Sequence, residues 1–444
     1  MALRVRSAMG LVVAVVFTGS AFGQTVTLGE EVKPGELFRY ELDLKLAGKM
    51  KVERQGKLDA IPFQAVATHK FVERIESGDA RGGVGKVVRH YEVAKSNGDS
   101  GVDRTSRELA ADRRIVIAQR TADGSLHFSP DGPLYREELE LVAEHFDTLS
   151  IPALLPNREL KIGDTWPIGA EASQHVCLFE GLIKSELVGK LTEIKDGQAV
   201  FTITGVAEGI EGGAHAKLSI NATGTFAIAT KRVVELKWEQ SDERAQGPAS
   251  PATEVKALLT LKRTALNEEP KELNAAARAK IPADAKTTDL VTMLRYADAD
   301  GRYQFVYPRE WHVVGRTKDH LVMRLLEKGE FTAQATMTTW KRAAAGQHTP
   351  ADEFKKLLAN LPGWVPEAVT EDSVIPTDAG RWLYRVALKG KQDGLPVVQS
   401  FFLLAGPNGD QLAVTVLARQ EQAAKIGTRD ITLVNAIEFP SPKR

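Results

Sequence analysis

The sequence predicts an α+β protein: an N-terminal antiparallel β-sheet wrapped on one helix, followed by a smaller α/β/α sandwich. Three observations support this. Long runs alternate apolar with polar residues, one striped segment at Asp131–Ile168 interrupts them, and residues 266–291 separate two differently ordered halves.

At 444 residues the chain is long enough for two or three domains with full cores. Hydrophobic content of 43% and charged content of 26% fit a soluble globular protein. Lys+Arg and Asp+Glu are equal at 58 each, so no basic face of the kind nucleic acid requires is expected.

Residues 1–23 read as a signal peptide. Arg4 and Arg6 precede the apolar run Leu11–Phe17, and Ala21-Phe22-Gly23 offers small residues to a signal peptidase, with Gln24 as the new start. That run is short for a bilayer span, and no later segment reaches the length of one. An exported product, periplasmic or extracellular, is expected. Cys177 is the only cysteine, so no internal disulfide can form.

From Leu37 the chain alternates. Phe38, Tyr40, Leu42, Leu44 and Leu46 fall on one face and Arg39, Glu41, Asp43 and Lys45 on the other, which predicts a strand with one wet side. Similar runs at Ile61–Ser77, Gly85–Ala94 and Arg113–Gln119, parted by turn-formers such as Asn97-Gly98-Asp99, predict a meander. In the striped segment Tyr135, Leu139, Val142, Phe146 and Leu149 are spaced four, three, four and three apart, predicting a helix over 133–149. Asp131 suits its cap and Pro133 its first turn, and Ile151-Pro152 ends it. Further strands are expected at about 174–195, 198–208, 214–229, 231–243 and 253–264, completing a β-rich domain over 25–265.

Residues 266–291 are rich in Ala, Lys and Glu and predict a linker with at most a short helix. A second domain is expected over 292–444. Its strands start at Tyr303–Pro308 and Trp311–Val314, with further strands at Leu321–Leu326 and Phe331–Trp340. A helix opens at Thr349-Pro350-Ala351-Asp352 and buries Phe354, Leu357, Leu358 and Leu361. Strands follow at 367–375, 381–388, 396–404 and 411–418, and the last helix spans about 428–436.

Two stretches resemble known families. Leu155-Pro156 followed by Ile162-Gly163-Asp164-Thr165-Trp166 resembles exported bacterial proteins without assigned activity, and the sheet-on-helix outline is similar to lipoprotein carriers of the LolA type. Phe305, Tyr307, Pro308 and Trp311, with the element order that follows, resemble the PsbP-like fold over about 145 of the 444 residues. That resemblance implies a fold and no particular activity.

Candidate chemistry is sparse. Gly98-Asp99-Ser100-Gly101 with His69 resembles a serine-protease nucleophile loop, but Val102 stands where a glycine belongs and the spacing is too short for a triad between two barrels. Gly82-Gly83-Val84-Gly85-Lys86 lacks the first glycine and the Ser/Thr of a phosphate loop. His175, Cys177 and Phe179 alternate on the expected strand face, where a buried thiol explains Cys177 as well as a nucleophile does. The nine histidines show no metal-ligand spacing, and Glu137, Glu140 and Glu144 read as a solvated helix face. Asn221-Ala222-Thr223 matches a glycosylation acceptor.

The expectation is therefore an exported, non-enzymatic binding or scaffolding protein of the bacterial cell envelope, with no cofactor and no metal. Its partner would be an apolar small molecule or an envelope protein, with no nucleic acid and no transmembrane segment after signal cleavage. Two alternatives stay open. One is a periplasmic carrier holding a lipid or other apolar ligand against Tyr135, Leu139, Val142, Phe146 and Trp166. The other is a hydrolase with an unrecognised site.

Overall fold

A computed structural model describes residues 24–440 apart from 55–56, 80–82, 102, 122–123, 144–145, 359 and 378–379. The expected signal peptide, Gly82, Val102 and Glu144 lie outside the described residues. Antiparallel β-structure dominates the rest.

Thirteen strands make the principal sheet. One meander runs through Leu37–Arg54, Lys57–Gly78, Val84–Asp99, Ile115–Thr121 and Gly124–Phe128, with Arg104–Glu108 beside Val84–Asp99. A second runs through Val188–Lys195, Gln198–Glu211, Ala214–Ala227, Arg232–Arg244 and Ala252–Leu266, flanked by Thr165–Pro167 and Gly181–Ser185. The last strand of the second meander pairs with the first strand of the first, from Leu266 opposite Leu37 to Ala252 opposite Lys51. That seam turns two meanders into one sheet.

The alternation expected at Leu37 holds: Phe38, Tyr40, Leu42 and Leu44 are buried while Glu41, Asp43 and Lys45 are exposed. A single core cluster joins these residues to Trp166, Leu191 and Phe201 at the other edge, so the sheet curls around what it covers. The covering segment is Leu134–Ile168, as its apolar stripe requires. Leu139, Val142, Phe146 and Leu149 are all buried in that cluster.

The helix itself is shorter than the stripe suggests, spanning Arg136–Ala143. Leu134 and Tyr135 are drawn instead into a parallel pairing with Leu294 and Arg295. The carboxylate of Glu138 accepts from the Tyr135 and Ala110 amides (2.9 and 3.1 Å) and does the capping expected of Asp131. Downstream, Asp147 accepts from the Leu149 amide at 3.1 Å and starts a 3₁₀ turn at Thr148–Ser150. A second correction concerns the strand expected at 174–195. Its start is a helix, Ala170–Val176, followed by Leu178 at φ +58° and the short strand Gly181–Ser185. Ala170-Glu171-Ala172-Ser173-Gln174 contains no β-branched residue, and helix propensity prevails there.

Residues 266–291 lie across the outer face of the sheet. Leu273 and Ala285 cover Val72, Val88, Ile117 and Phe128, and the Lys86 ammonium donates to the Pro282 and Ala283 carbonyls. Beyond them a seven-stranded antiparallel sheet runs in the order Trp311–Arg316, His320–Glu327, Glu330–Trp340, Gln411–Arg419, Leu395–Ala405, Trp382–Gln392, Trp364–Ile375. Helix Ala351–Leu358 packs Phe354 and Leu358 on the face holding Tyr384, Phe401 and Leu403. The opposite face holds Phe402, Leu404 and Val414 and joins Leu433, Val434 and Ile437 in the main cluster.

Candidate functional site: an apolar trough on the curled sheet

Strand Leu37–Arg54 has 18 residues and Lys57–Gly78 has 22. At ~3.3 Å per residue the first is about 60 Å long. The covering helix has eight residues, about 12 Å. One helix and its flanking turns cannot cap strands of that length, so part of the inner face must stay open.

Beneath the helix the sheet is filled. Leu42, Phe71, Tyr91, Leu141, Val142 and Phe146 leave a space of only about 10 Å³. Phe146 stands edge-on to Trp238, with centroids 5.8 Å apart at 67°. Trp238, Leu259, Leu44, Ala67 and Ala222, adjacent across five strands, are all buried. They form a floor.

Two residues further along each strand the inner face opens into a trough of about 1110 Å³. The strand register defines its axis. Ile220 lies opposite Gln240, Gln240 opposite Ala257, Ala257 opposite Leu46, Leu46 opposite Ala65, Ala65 opposite Gly98, and Gly98 opposite Thr105. Seven residues from seven strands make one row, about 29 Å long at ~4.8 Å per strand gap. Its middle is aliphatic, at Leu46, Ala65 and Ala257. The Thr105 hydroxyl stands at one end of the row and the Gln240 amide, one strand from Ile220, stands toward the other. Gly98 has a steric reason: a Cβ there would meet the Thr105 hydroxyl at 2.7 Å. Gln240 is fixed, because its Oε1 accepts from Trp238 Nε1 at 2.9 Å.

None of the five residues singled out in the sequence lines this trough. Leu139, Val142, Phe146 and Trp166 are core, and Tyr135 is half-buried with the Arg295 guanidinium 5.2 Å over its ring. Trp166 donates from Nε1 to the Leu154 carbonyl at 2.9 Å and lies on Gly189, where any Cβ would strike the indole. The trough residues were missed because each is unexceptional alone, and only the register gathers them. The usable signal was length: apolar alternation outruns the helical stripe that covers it.

Polar candidates fall elsewhere. Ser100 and Asp103 close a loop, with Ser100 Oγ donating to the Asp103 carbonyl at 3.2 Å, while His69 is buried four positions along the strand from the residue paired with Gly98. Gly83 donates to Asp79 Oδ1 at 2.7 Å in a turn that leads into the strand at Val84. Cys177 is buried, and its thiol is pushed up to about 12 by burial and by Asp242. A second cleft, about 220 Å³, gathers Asp79, Glu171, His175, Arg120 and Ser150. Ser150 Oγ is already engaged, donating to Asp147 at 2.6 Å and accepting from Arg120 at 3.1 Å.

A buried ionic network pins the covering segment to the sheet. Arg89 Nε donates to Glu73 at 2.9 Å and Arg89 Nη2 to Thr148 at 2.7 Å, and Thr148 in turn donates to Glu73 at 2.8 Å. Arg120 pairs with Asp147 at 2.8 Å, and Arg263 with Glu30 at 2.7 Å. Each charge is paired with an opposite one, although Arg263 Nε has no hydrogen-bond partner among the described residues. Among the described residues no cluster of His, Cys, Asp and Glu could hold a metal ion, and no helix is long and apolar enough to cross a membrane.

No family model and no curated protein matches this chain. Among solved structures it is similar to cyanobacterial PsbP from Synechocystis sp. PCC 6803 at 13% identity, over 36% of this chain and 98% of that one, with a TM-score of 0.27. It is also similar to the Saccharomyces cerevisiae Ran-binding protein Mog1p at 8% identity, over 33% and 95% of the two chains, with a TM-score of 0.26. Likeness to lipovitellin, described for its lipid–protein interactions, covers 55% of this chain but 26% of that one, at 10% identity and a TM-score of 0.29. None of these likenesses assigns an activity or a ligand to this chain.

Proposed function

We propose that this chain is an exported, non-enzymatic binding protein of the cell envelope that holds an elongated apolar molecule in the trough. The observation behind this reading is the row Ile220–Gln240–Ala257–Leu46–Ala65–Gly98–Thr105. Its aliphatic middle, with an amide at Gln240 toward one end and a hydroxyl at Thr105 at the other, suits an extended hydrocarbon with a polar terminus. The volume of about 1110 Å³ lies just above the roughly 300–1,000 Å³ usual for small-molecule sites. An acyl chain lying across the strands meets these constraints, and its burial would be driven by removal of its methylenes from water.

The C-terminal sheet, which we read as a PsbP-like α/β/α unit, would then be the buttress. Arg309 Nη2 donates to the His127 carbonyl at 2.5 Å and Arg136 lies 3.0 Å from His312 Nδ1, tying that unit to the base of the covering segment.

Native mass spectrometry of the chain purified from its own envelope tests this reading. A single lipid-sized adduct on the wild-type chain, absent from an Ala257→Trp variant, is the expected result. A bare wild-type chain, or an adduct indifferent to Ala257→Trp, would overturn it.

A further inference from the structure

Gln240 is the one amide in the trough's central row. It follows Trp238 on the same face of its strand, and its partners across the row, Ile220 and Ala257, carry no side-chain acceptor. Trp238 is buried with its ring against Phe146, and its Nε1 donates to Gln240 Oε1 at 2.9 Å.

An indole N–H donates and never accepts, so the amide has to present its oxygen to Trp238. The NH2 group is thereby turned the other way. Gln240 Nε2 has no hydrogen-bond partner among the described residues and, unlike Asp242 Oδ1, is not sealed from solvent. The aliphatic row therefore carries one oriented donor, held by a core residue that cannot let it flip.

The charges nearby leave this donor without a cation beside it. Lys45 and Lys256 precede Leu46 and Ala257, and strand alternation sends them to the opposite face. Along the face of Gln240 itself Asp242 comes next, and beyond it Arg244 is paired with Glu211 at 2.7 Å. A phosphate head would find no free guanidinium or ammonium there, whereas a carbonyl oxygen needs only the amide.

We propose that Gln240 recognises the polar terminus of the trough's ligand, donating from Nε2 to the carbonyl oxygen of an acyl chain whose hydrocarbon lies over Ala257, Leu46 and Ala65. The inference rests on the trough reading and deepens it to a ligand class. Trp238 is the positioning residue. From Gln240 to Thr105 the row crosses five strand gaps, about 24 Å at ~4.8 Å each, which is left to the hydrocarbon. A long-chain amine would set donor against donor and leave the amide unpaired.

Displacement of a fluorophore-labelled long-chain fatty acid from the full chain by methyl palmitate, palmitate, hexadecane or hexadecylamine tests this. The quantity to compare is the ester-to-alkane affinity ratio in wild type and variant, which cancels the difference in transfer from water. Gln240→Leu should lower that ratio on the order of fivefold, the net worth of one hydrogen bond. Gln240→Glu at about pH 9, above the carboxylate range and below that of an amine, should turn the preference toward hexadecylamine. Acid and ester are the two sources of an acyl carbonyl, and their relative affinities tell them apart while either supports the assignment. A ratio unchanged in both variants, with all four ligands weakened together, would overturn the role of Gln240 and leave the trough standing. Failure of the wild-type chain to bind the labelled acid would sink the trough itself.

Discussion

Phe146 meets Trp238 edge to face at 5.8 Å, and this contact divides the inner face of the large sheet into a filled half and an open half. On one side lies core. On the other, Trp238 hands its indole N–H to Gln240, the first trough residue.

Phe146→Ala should therefore cost about 3–5 kcal/mol, the range for emptying a buried aromatic site. It should also deepen the trough toward the helix. Urea unfolding measures the first, and a gain in the size of the largest lipid retained measures the second. Unchanged stability would mean that the ring is not the wedge described.

The Glu73–Arg89–Thr148 triangle gives a sharper energetic test. Arg89→Met strands the Glu73 carboxylate in the core and should cost about 3–5 kcal/mol. Adding Glu73→Leu should recover most of the loss, because the double change removes both charges. A double-mutant cycle on unfolding free energy settles it, and additive losses would contradict coupling between Arg89 and Glu73.

Acid should loosen the joint between the two sheets early. Burial holds His127 down to about 3 and His312 to about 4, with Arg89, Arg309 and Arg120 also acting on His127 and Arg136 on His312. Both folded values lie below the unfolded value near 6.5. The unfolded chain thus takes up protons first as pH falls. Stability is complete above about pH 6.5 and is lost below it, by about 1.4 kcal/mol per pH unit per group. His312→Gln should flatten the loss between pH 6 and pH 4 (about the two pKa limits). A stability profile with no slope in that window would contradict the buried, neutral assignment.

Asp242 works in the opposite sense. Burial and the neighbouring Glu211 raise its carboxyl to about 7, above an unfolded value near 3.9. The folded protein keeps the proton longer, so the penalty for ionising grows from about pH 4 to pH 7 and is complete above it. Asp242→Asn should gain on the order of 1 kcal/mol above pH 7 and nothing at pH 4. Thermal melts at both pH values check this. The adjacent Cys177 thiol, up at about 12, should resist maleimide in the folded protein and react on unfolding.

Much of this architecture is legible in the sequence. Alternation through Phe38, Tyr40, Leu42 and Leu44 marks the inner face, and the stripe at Leu139, Val142 and Phe146 marks what covers it. Local text misleads where tertiary pairing competes, as when Leu134 and Tyr135 leave the helix for Leu294 and Arg295. Arg104–Glu108 was missed because its text, Arg-Thr-Ser-Arg-Glu, has no apolar period and forms only as a partner for Val84–Asp99. The trough was illegible for a related reason. Ala257 comes from a strand far along the chain from those of Leu46, Ala65 and Gly98, and register, which sequence alternation leaves undetermined, brings the four into one row.

Direct titration with a fluorophore-labelled long-chain fatty acid, comparing the wild-type chain with Ala65→Trp, tests the trough most simply. Ala65 is half-exposed beside Gly98, so the indole should occupy the trough without disturbing the core. Saturable binding at one molecule per chain, abolished by Ala65→Trp at unchanged melting temperature, is the expected result. Equal binding by both proteins, or no binding by the wild type, would contradict it.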